Sequence, residues 1–110
     1  MEKQTENKMM NNLIVSNIDS LRQLFETHKI EKAYVFGSVL TNDFKESSDI
    51  DFLVKFEIGI DPLEKGKLWW NLHDKLRDVL NREIDIVTER SLKNPYFIKE
   101  LNKTKKLIYG

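Results

Sequence analysis

Residues 48–54 read Ser-Asp-Ile-Asp-Phe-Leu-Val, and this stretch decides the fold because it sets two acids into an otherwise apolar segment. Successive side chains of a β-strand point to opposite faces of the sheet, so Asp49 and Asp51 share one face. The other face carries apolar side chains, those of Ile50, Phe52 and Val54. We predict a strand from Asp49 to Phe56 that buries its apolar face and brings its two carboxylates together.

Two more strands are predicted around this one. The apolar run 33–36, Ala-Tyr-Val-Phe, stops at a Gly-Ser pair, and its shortness favours a buried strand from Lys32 to Phe36. The polar residues from Val39 to Ser48 predict a loop. Glu83 to Thr88 forms a third predicted strand, in which Asp85 lies between two isoleucines. Burial of those isoleucines turns the Asp85 carboxylate to the opposite face, where an adjacent strand would add it to the first pair.

Helices complete an α/β pattern. Apolar residues at helical spacing predict a first helix from about Ser16 to His28, with Ser16 and Asp19 as its capping pair. A middle helix is predicted from Asp61 to about Leu80, ending at a left-handed Asn81. Its predicted buried stripe is Trp69, Leu72, Leu76, Val79 and Leu80. A short last helix begins at Asn94-Pro95 with Phe97, Ile98 and Leu101 facing inward, and Leu107-Ile108-Tyr109 forms a terminal strand. The expected architecture is a small mixed β-sheet with the first and middle helices packed on it and a metal site along one exposed edge.

Composition limits the classes of function that this chain can have. A chain of 110 residues is expected to form one domain, here from 13 to 110, after a flexible tail from Met1 to Asn12 that lacks the apolar core of a signal peptide. Equal numbers of basic and acidic residues, 18 of each, give no overall field for binding nucleic acid, so no direct nucleic-acid binding is expected. No apolar run is long enough to span a membrane, and the sequence has no cysteine. We therefore expect a cytoplasmic protein.

The three acids and the glycine form one chemical pattern. Neighbouring carboxylates repel each other but suit a hard divalent cation such as Mg²⁺, and a pair of such ions can bridge an attacking hydroxyl and a phosphoryl group. Without a Cβ, Gly37 lets the backbone approach a triphosphate closely, and Ser38 can donate hydrogen bonds to its oxygens. Asp49, Asp51 and Asp85 are therefore the candidate metal ligands, and the pattern indicates metal-assisted phosphoryl chemistry on a triphosphate.

The order Gly37-Ser38, ten residues, Ser48-Asp49-Ile50-Asp51 and then Ile84-Asp85-Ile86 resembles the nucleotidyltransferase superfamily of DNA polymerase beta, and in size the minimal nucleotidyltransferases. The resemblance implies the polymerase-beta-like fold, with two Mg²⁺ ions bound by Asp49 and Asp51 and with Asp85 helping to activate the acceptor hydroxyl. Gly37 and Ser38 would hold the triphosphate, assisted by Ser48. Many relatives have an arginine soon after the Gly-Ser pair, whereas this chain has Val39-Leu40, which leaves the cationic partner of the phosphates unidentified.

The same resemblance implies a partner. Many bacterial minimal nucleotidyltransferases are encoded beside a helical HEPN ribonuclease toxin and neutralise it, in some cases by adding AMP to a toxin tyrosine. The nucleotidyltransferase motifs lie on this chain, so it would be the antitoxin and its partner the toxin. The expected function is Mg²⁺-dependent transfer of AMP from ATP to the toxin, within a hetero-oligomer. The alternatives are a binding module that neutralises a partner by covering it, and a nucleotidyltransferase for a small molecule such as an aminoglycoside.

Several other residues have more ordinary interpretations. His28 and His73 are both expected at the surface without a role in chemistry. The basic stretch of Lys99, Lys103, Lys105 and Lys106 is assigned to a solvated face without a function. Trp70 is rotated about 100° from the buried stripe, and it is either an interface anchor or a core residue covered by the last helix.

Overall fold

The structure, a computed structural model, describes residues 11–110. The helices among them are α1 (Asn12–Ser16), α2 (Ile18–Thr27), α3 (Pro62–Leu80) and α4 (Pro95–Thr104). The strands are β1 (Ile30–Phe36), β2 (Ile50–Phe56), β3 (Ile84–Thr88) and β4 (Lys106–Tyr109), and short 3-10 turns follow β1 (Gly37–Leu40) and β3 (Glu89–Ser91). None of the helices described is both long and apolar enough to cross a membrane. Residues 1–10 of the predicted tail lie outside the described range, and Asn11 and Asn12 form the cap and first residue of α1.

The strands form one mixed sheet in the order β3-β2-β1-β4. β1 pairs antiparallel with both β2 and β4, while β2 and β3 run parallel. Parallel neighbours require a long crossover, and α3 supplies it between β2 and β3. The prediction of an α/β fold with a small mixed sheet is confirmed.

The limits of α3 are those that the sequence predicts. The Asp61 side chain accepts hydrogen bonds from the backbone N–H groups of Leu63, at 3.0 Å, and Glu64, at 3.4 Å, and Pro62 opens the first turn. Asn81 ends the helix in the left-handed conformation, with φ 52°. α4 begins in the same way, because the Asn94 side chain accepts from two backbone N–H groups of its first turn.

The two faces of the sheet are covered unequally. The apolar face of β2 is fully buried with α2 and α3 in the main core, whose largest members include Phe25, Phe52, Leu72 and Leu76. A smaller cluster on the other face joins Phe36 and Leu53 to Leu101 of α4. Asp51 belongs to this second face, since it alternates with the buried Ile50 and Phe52. The lighter cover leaves one end of that face open to solvent.

The first helix differs from its prediction. Asn17 interrupts it: the Asn17 side-chain amide donates to the Leu13 carbonyl at 2.8 Å, and its backbone leaves helical geometry at φ −110° and ψ 11°. The predicted Ser16 and Asp19 capping pair is wrong, because Asn17 occupies the cap position without a side-chain cap and Ser16 ends α1. Asparagine competes for backbone hydrogen bonds in this way, which explains the break.

Two residues predicted to face inward are exposed. Val79 is 36% exposed because the buried stripe of α3 continues from Leu76 to Leu80, one turn on, and leaves Val79 beside it. Phe97 is 43% exposed, although the edge of its ring contacts Phe36 at a centroid distance of 6.2 Å. The predictions for these two side chains are wrong in burial, whereas the helices that carry them are confirmed.

His28 is buried, with 7% of its surface exposed, so the prediction of a surface histidine is wrong. Its Nδ1 lies 2.7 Å from the Leu24 carbonyl oxygen, and its Nε2 lies 2.7 Å from the side-chain oxygen of Asn71 on α3. The imidazole therefore joins α2 to α3 through polar contacts at the end of the core.

Replacing His28 with Ala should lower the free energy of unfolding by about 1–3 kcal/mol, because the Asn71 side chain loses its partner and a buried space opens. Chemical denaturation of the two proteins measures the difference. Gln23→Ala, an exposed change on the same helix, is the control and should change stability little. Equal stability of wild type and His28→Ala would contradict a joining role for the imidazole.

Candidate active site

The parallel pairing of β2 and β3 brings two of the predicted acids together. In the register of the two strands Ile50 pairs with Ile84, Asp51 with Asp85, and Phe52 with Ile86. Cα partners in a ladder point their side chains to the same face, so Asp51 and Asp85 lie side by side. Asp49 lies just before β2, two residues from Asp51. Asp51 is half-buried, whereas Asp49 and Asp85 are exposed.

Ionisation of Asp51 is disfavoured in the folded protein. Burial raises the pKa of its carboxyl from 3.8 to about 6, with smaller contributions in the same direction from the negative charges of Asp85 and Asp49. Of the three predicted acids, Asp51 is therefore the one on which burial and the negative charges of the other two act together. A cation placed among them would relieve this repulsion.

Gly37 lies directly against this group. Its φ is +79°, in the left-handed region, and a Cβ at this position would collide with the Asp51 carboxylate, whose Cγ would be 3.4 Å away. Only glycine combines this backbone conformation with so close an approach. The following turn is fixed because the Ser38 carbonyl accepts hydrogen bonds from both the N–H and the hydroxyl of Thr41, each at 2.9 Å. The predicted phosphate-binding pair, Gly37 and Ser38, thus lies beside the predicted metal ligands.

Ser48 has a different local contact. Its hydroxyl oxygen accepts a hydrogen bond from the Lys45 N–H at 3.0 Å and closes the loop that leads into Asp49. Its hydroxyl hydrogen is not used in that bond, so the assignment of Ser48 to the triphosphate stays a prediction.

Arg82 is a site residue that the sequence did not reveal. Its Nη1 donates to the carbonyl oxygens of Lys45, at 2.7 Å, and Ser48, at 3.2 Å, and its guanidinium lies 4.5 Å from the centre of the Phe44 ring. It thereby fixes the loop immediately before Asp49. Its position one residue after the helix-ending Asn81 was the one available signal.

His73 is a second such residue, and the prediction that it lies free at the surface is wrong. Its ring stacks on Trp69 with a centroid distance of 5.5 Å, and its Nε2 lies 3.0 Å from the Ile84 carbonyl oxygen, next to Asp85. His73 therefore links α3 to the first residue of β3 and helps to position Asp85.

Trp70 is 63% exposed, which rules out the interpretation of a core residue covered by α4. Its ring meets Trp69 edge to face at 4.8 Å and borders a shallow hollow with Leu63 and Lys67 on α3. The interface interpretation of Trp70 stays a prediction.

The donor set fits Mg²⁺ bound together with a nucleotide. Among residues 11–110 no three side chains of the types His, Cys, Asp and Glu are placed so that they could hold a metal ion by themselves, and this includes the predicted set of Asp49, Asp51 and Asp85. Mg²⁺ usually takes one or two protein carboxylates, with water and substrate phosphates as its other ligands. Asp49 and Asp51 would supply such carboxylates, although ionisation of Asp51 is disfavoured without a metal. Phosphate oxygens would occupy the space beside Gly37 and complete the set of ligands.

Comparison with known proteins agrees with this geometry. A family model described as polymerase beta, nucleotidyltransferase matches residues 19–110. A proposed protein adenylyltransferase of Methanocaldococcus jannaschii is 37% identical over 86 residues, which cover 78% of this chain and 82% of the relative.

Two solved structures are similar in fold. A proposed minimal nucleotidyltransferase superposes with a TM-score of 0.64 at 29% identity, covering 84% of this chain and 90% of its own. A complex of a tri-AMPylated Shewanella oneidensis HEPN toxin with an MNT antitoxin gives a TM-score of 0.59 at 25% identity, covering 86% of this chain and 71% of that one. The polymerase-beta-like fold predicted from the sequence is therefore confirmed.

Gly37→Ala should destabilise the protein and disturb the acid group, because the new Cβ collides with Asp51 and the backbone conformation is strained. We expect a loss of about 1–3 kcal/mol in the free energy of unfolding. Gly66→Ala is the matched control: nothing lies within 4 Å of its added Cβ in the middle of a helix, so it should gain about 0.5–1 kcal/mol. Opposite signs in chemical denaturation support the close approach, and a stabilising Gly37→Ala would refute it.

Asp51→Asn should stabilise the metal-free protein at neutral pH and not in acid. Because the pKa of Asp51 is raised on folding, the native state holds more protons than the unfolded state between 3.8 and about 6, so stability falls as pH rises through that window. Asparagine does not titrate and escapes this loss, which solvent screening reduces to about 1 kcal/mol, or roughly 5 °C in melting temperature.

Melting curves in chelator from about pH 8 to about pH 4 measure the gap between Asp51→Asn and wild type. The gap should be widest at the alkaline end and close towards the acid end. Asp43→Asn, in the loop, is the control and should give no such trend, since Asp43 is exposed. A variant less stable than wild type near neutrality would show that Asp51 has a structural role.

Proposed function

This chain belongs to the polymerase beta nucleotidyltransferase family, and from that premise we propose that it transfers AMP from ATP to a tyrosine hydroxyl of a HEPN-type toxin and so acts as its antitoxin. The observation that carries the proposal is the acid group of Asp49, Asp51 and Asp85 against the backbone of Gly37. Support for AMP comes from the M. jannaschii relative that is a proposed protein adenylyltransferase. Support for the partner comes from the similar structure in which an MNT antitoxin binds an AMPylated HEPN toxin.

The proposed reaction is a single displacement at phosphorus. The oxygen of the acceptor hydroxyl attacks the α-phosphorus of ATP, the bond from that phosphorus to the bridging oxygen of the β-phosphate breaks, and pyrophosphate leaves. Asp85, exposed at the edge strand, accepts the proton of the hydroxyl, and Asp51 and Asp49 would hold Mg²⁺. The backbone at Gly37 and the hydroxyl of Ser38 bind the triphosphate, with Ser48 in a supporting position. Bound Mg²⁺ would neutralise the phosphate charge that otherwise repels the nucleophile.

The open side of the site suits a protein acceptor. Asp85 lies on β3, an edge strand of the sheet, and its side chain is exposed. A toxin tyrosine can therefore approach Asp85 without entering an enclosed pocket, and the partner supplies the remainder of the acceptor site.

Occlusion without catalysis is the second candidate. The observation that favours it is the 63% exposure of Trp70, since large exposed aromatics are frequent anchors of protein interfaces. Trp70 lies on α3, whereas Asp51 lies in the sheet, so mutation can separate binding from chemistry.

Mass spectrometry of a HEPN toxin encoded beside this chain tests the proposal. Co-expression with wild type should add the mass of one nucleoside monophosphate to each modified tyrosine, and Asp51→Asn should leave the toxin unmodified while still binding it. Asparagine preserves the size of the side chain but removes the charge that holds the metal, so cells should lose their protection. Trp70→Ala serves as the second variant.

The outcomes separate the two candidates. An unmodified toxin in fully protected cells would exclude the enzymatic proposal. If in addition Asp51→Asn protected normally and Trp70→Ala did not, occlusion would be the function, because loss of a buried anchor can cost about 2 kcal/mol or more of binding. A modified toxin with wild type and not with Asp51→Asn supports transfer.

A further inference from the structure

The chain has no arginine after its Gly-Ser pair. The two residues in that position are Val39, which is buried in the core, and Leu40, which packs against it. A bound triphosphate carries several negative charges that the acid group repels. Its cationic partner must therefore come from elsewhere in the fold.

A cavity of about 340 Å³ opens beside Gly37. Its lining consists of Gly37, Leu40, Thr41, Lys103, Thr104 and Lys106. It contains two lysines and no acid, so its charge is opposite to that of the aspartates on the other side of Gly37.

The topology explains why these lysines lie here. β1 ends just before Gly37, and β4, which runs antiparallel to it, begins at the same end of the sheet, where Lys106 pairs with Val35. α4 ends one residue before β4, so Lys103 in its last turn reaches the same place. Two lysines that the sequence places 66 or more residues after Gly37 are thus its neighbours in space.

The lysines are the free donors of this cavity. The Thr41 hydroxyl donates to the Ser38 carbonyl at 2.9 Å, and the Thr104 hydroxyl donates to the Glu100 carbonyl at 3.1 Å. Neither Lys103 nor Lys106 forms an ion pair with another residue of the range 11–110. Lys105 differs, because its ammonium lies 4.3 Å from the centre of the Tyr34 ring.

The spacing of the strands matches an extended polyphosphate. Neighbouring strands lie about 4.8 Å apart, so the backbones of β2 and β4 are separated by roughly 10 Å, with β1 and Gly37 between them. Lys103 lies on α4, which covers the face of Asp51, whereas Lys106 pairs with Val35 of the main-core face, and the two lysines meet in the cavity at the end of the sheet. We propose that Lys103 and Lys106 bind the β- and γ-phosphates of the nucleoside triphosphate whose α-phosphate lies at Asp49 and Asp51. The proposal rests on the function proposed above and names the cationic side of the same site.

A purely structural role of Lys103 and Lys106 would predict a different experimental result. A lysine in the last turn of α4 also complements the helix dipole, and a lysine on the edge strand β4 discourages pairing with other chains. Those roles affect melting temperature and solubility, not the affinity for phosphates. Nucleotide affinity measured apart from catalysis therefore distinguishes the two.

Calorimetry with Mg²⁺ present tests the proposal on the whole chain. The nucleotide is chosen as the one of ATP, GTP, CTP and UTP that binds wild type most tightly, and the matching monophosphate is measured beside it. Lys103→Gln/Lys106→Gln should weaken triphosphate binding about tenfold for each lysine removed, the effect of losing a charge-assisted hydrogen bond, and leave monophosphate binding unchanged. The arginine pair, Lys103→Arg/Lys106→Arg, should restore the affinity.

Two controls keep the result interpretable. Lys93→Gln/Lys99→Gln removes the same charge from exposed positions outside the cavity and should bind as wild type does. Lys103→Gln alone, an exposed change at the end of a helix, covers the case in which the double variant fails to fold.

Each outcome decides the proposal. If wild type binds a triphosphate and Lys103→Gln or the double variant binds it equally well, the lysines are not its partners, and the proposed transferase function is untouched. An equal loss with the Lys93 and Lys99 pair would also overturn it, because the effect would then be one of net charge. If wild type binds none of the triphosphates, both proposals fail together.

Discussion

The register between β2 and β3 is the constraint on which the rest of the structure depends. This register places Asp51 beside Asp85. The two carboxylates repel each other when no cation is bound, and the apolar side chains on the opposite face of the same strands hold the pairing in place. Burial of one side chain of this kind contributes about 1.5–3 kcal/mol, and four are buried there: Ile50, Phe52, Ile84 and Ile86. The pKa of Asp51, raised from 3.8 to about 6, corresponds to at most about 3 kcal/mol before screening by solvent reduces it. The free energy gained by burying these four side chains is larger than the cost of the raised pKa, so the two aspartates stay paired.

The same register leaves little room for adjustment. A slip of β3 by one residue would turn Ile84 and Ile86 away from the core and Asp85 into it, so both faces of β3 specify the register. Contacts from α3 and from the residues just after it also fix the start of each strand. Arg82, which follows α3, binds the loop before Asp49, and His73 on α3 contacts the first residue of β3. The crossover helix therefore does more than connect parallel strands, because it helps to fix the positions of the strand residues that carry the carboxylates.

Local patterns predicted those parts of the site that depend on alternation and turn chemistry. Asp49, Asp51, Asp85 and Gly37 follow from period-two burial and from a strand that stops at glycine, and the α3 caps follow from Asp61 and Asn81. The failures concern contacts between distant elements. The partner of His28, Asn71, is 43 residues away, and that of His73 is on a strand 11 residues later. Sequence spacing carries no information about such pairs, nor about a cavity that residues 37–41 and 103–106 form together. The break at Asn17 was local, but there a side chain competed with the helix that propensity favoured.

Two departures from local preference coincide at one place in this fold. Gly37 adopts a positive φ at the end of a buried strand, and Asp51 carries a carboxylate on a half-buried face where its ionisation is disfavoured. Stability alone would favour an ordinary turn and a neutral side chain, and such conflicts usually mark a functional site. The two are in direct contact, since a Cβ on Gly37 would collide with the Asp51 carboxylate. Gly37 also lines the cavity that contains Lys103 and Lys106. A metal-bound phosphate has the charge and size to lie beside Gly37, as the proposal of one nucleotide site formed by the acids, the glycine and the lysines requires.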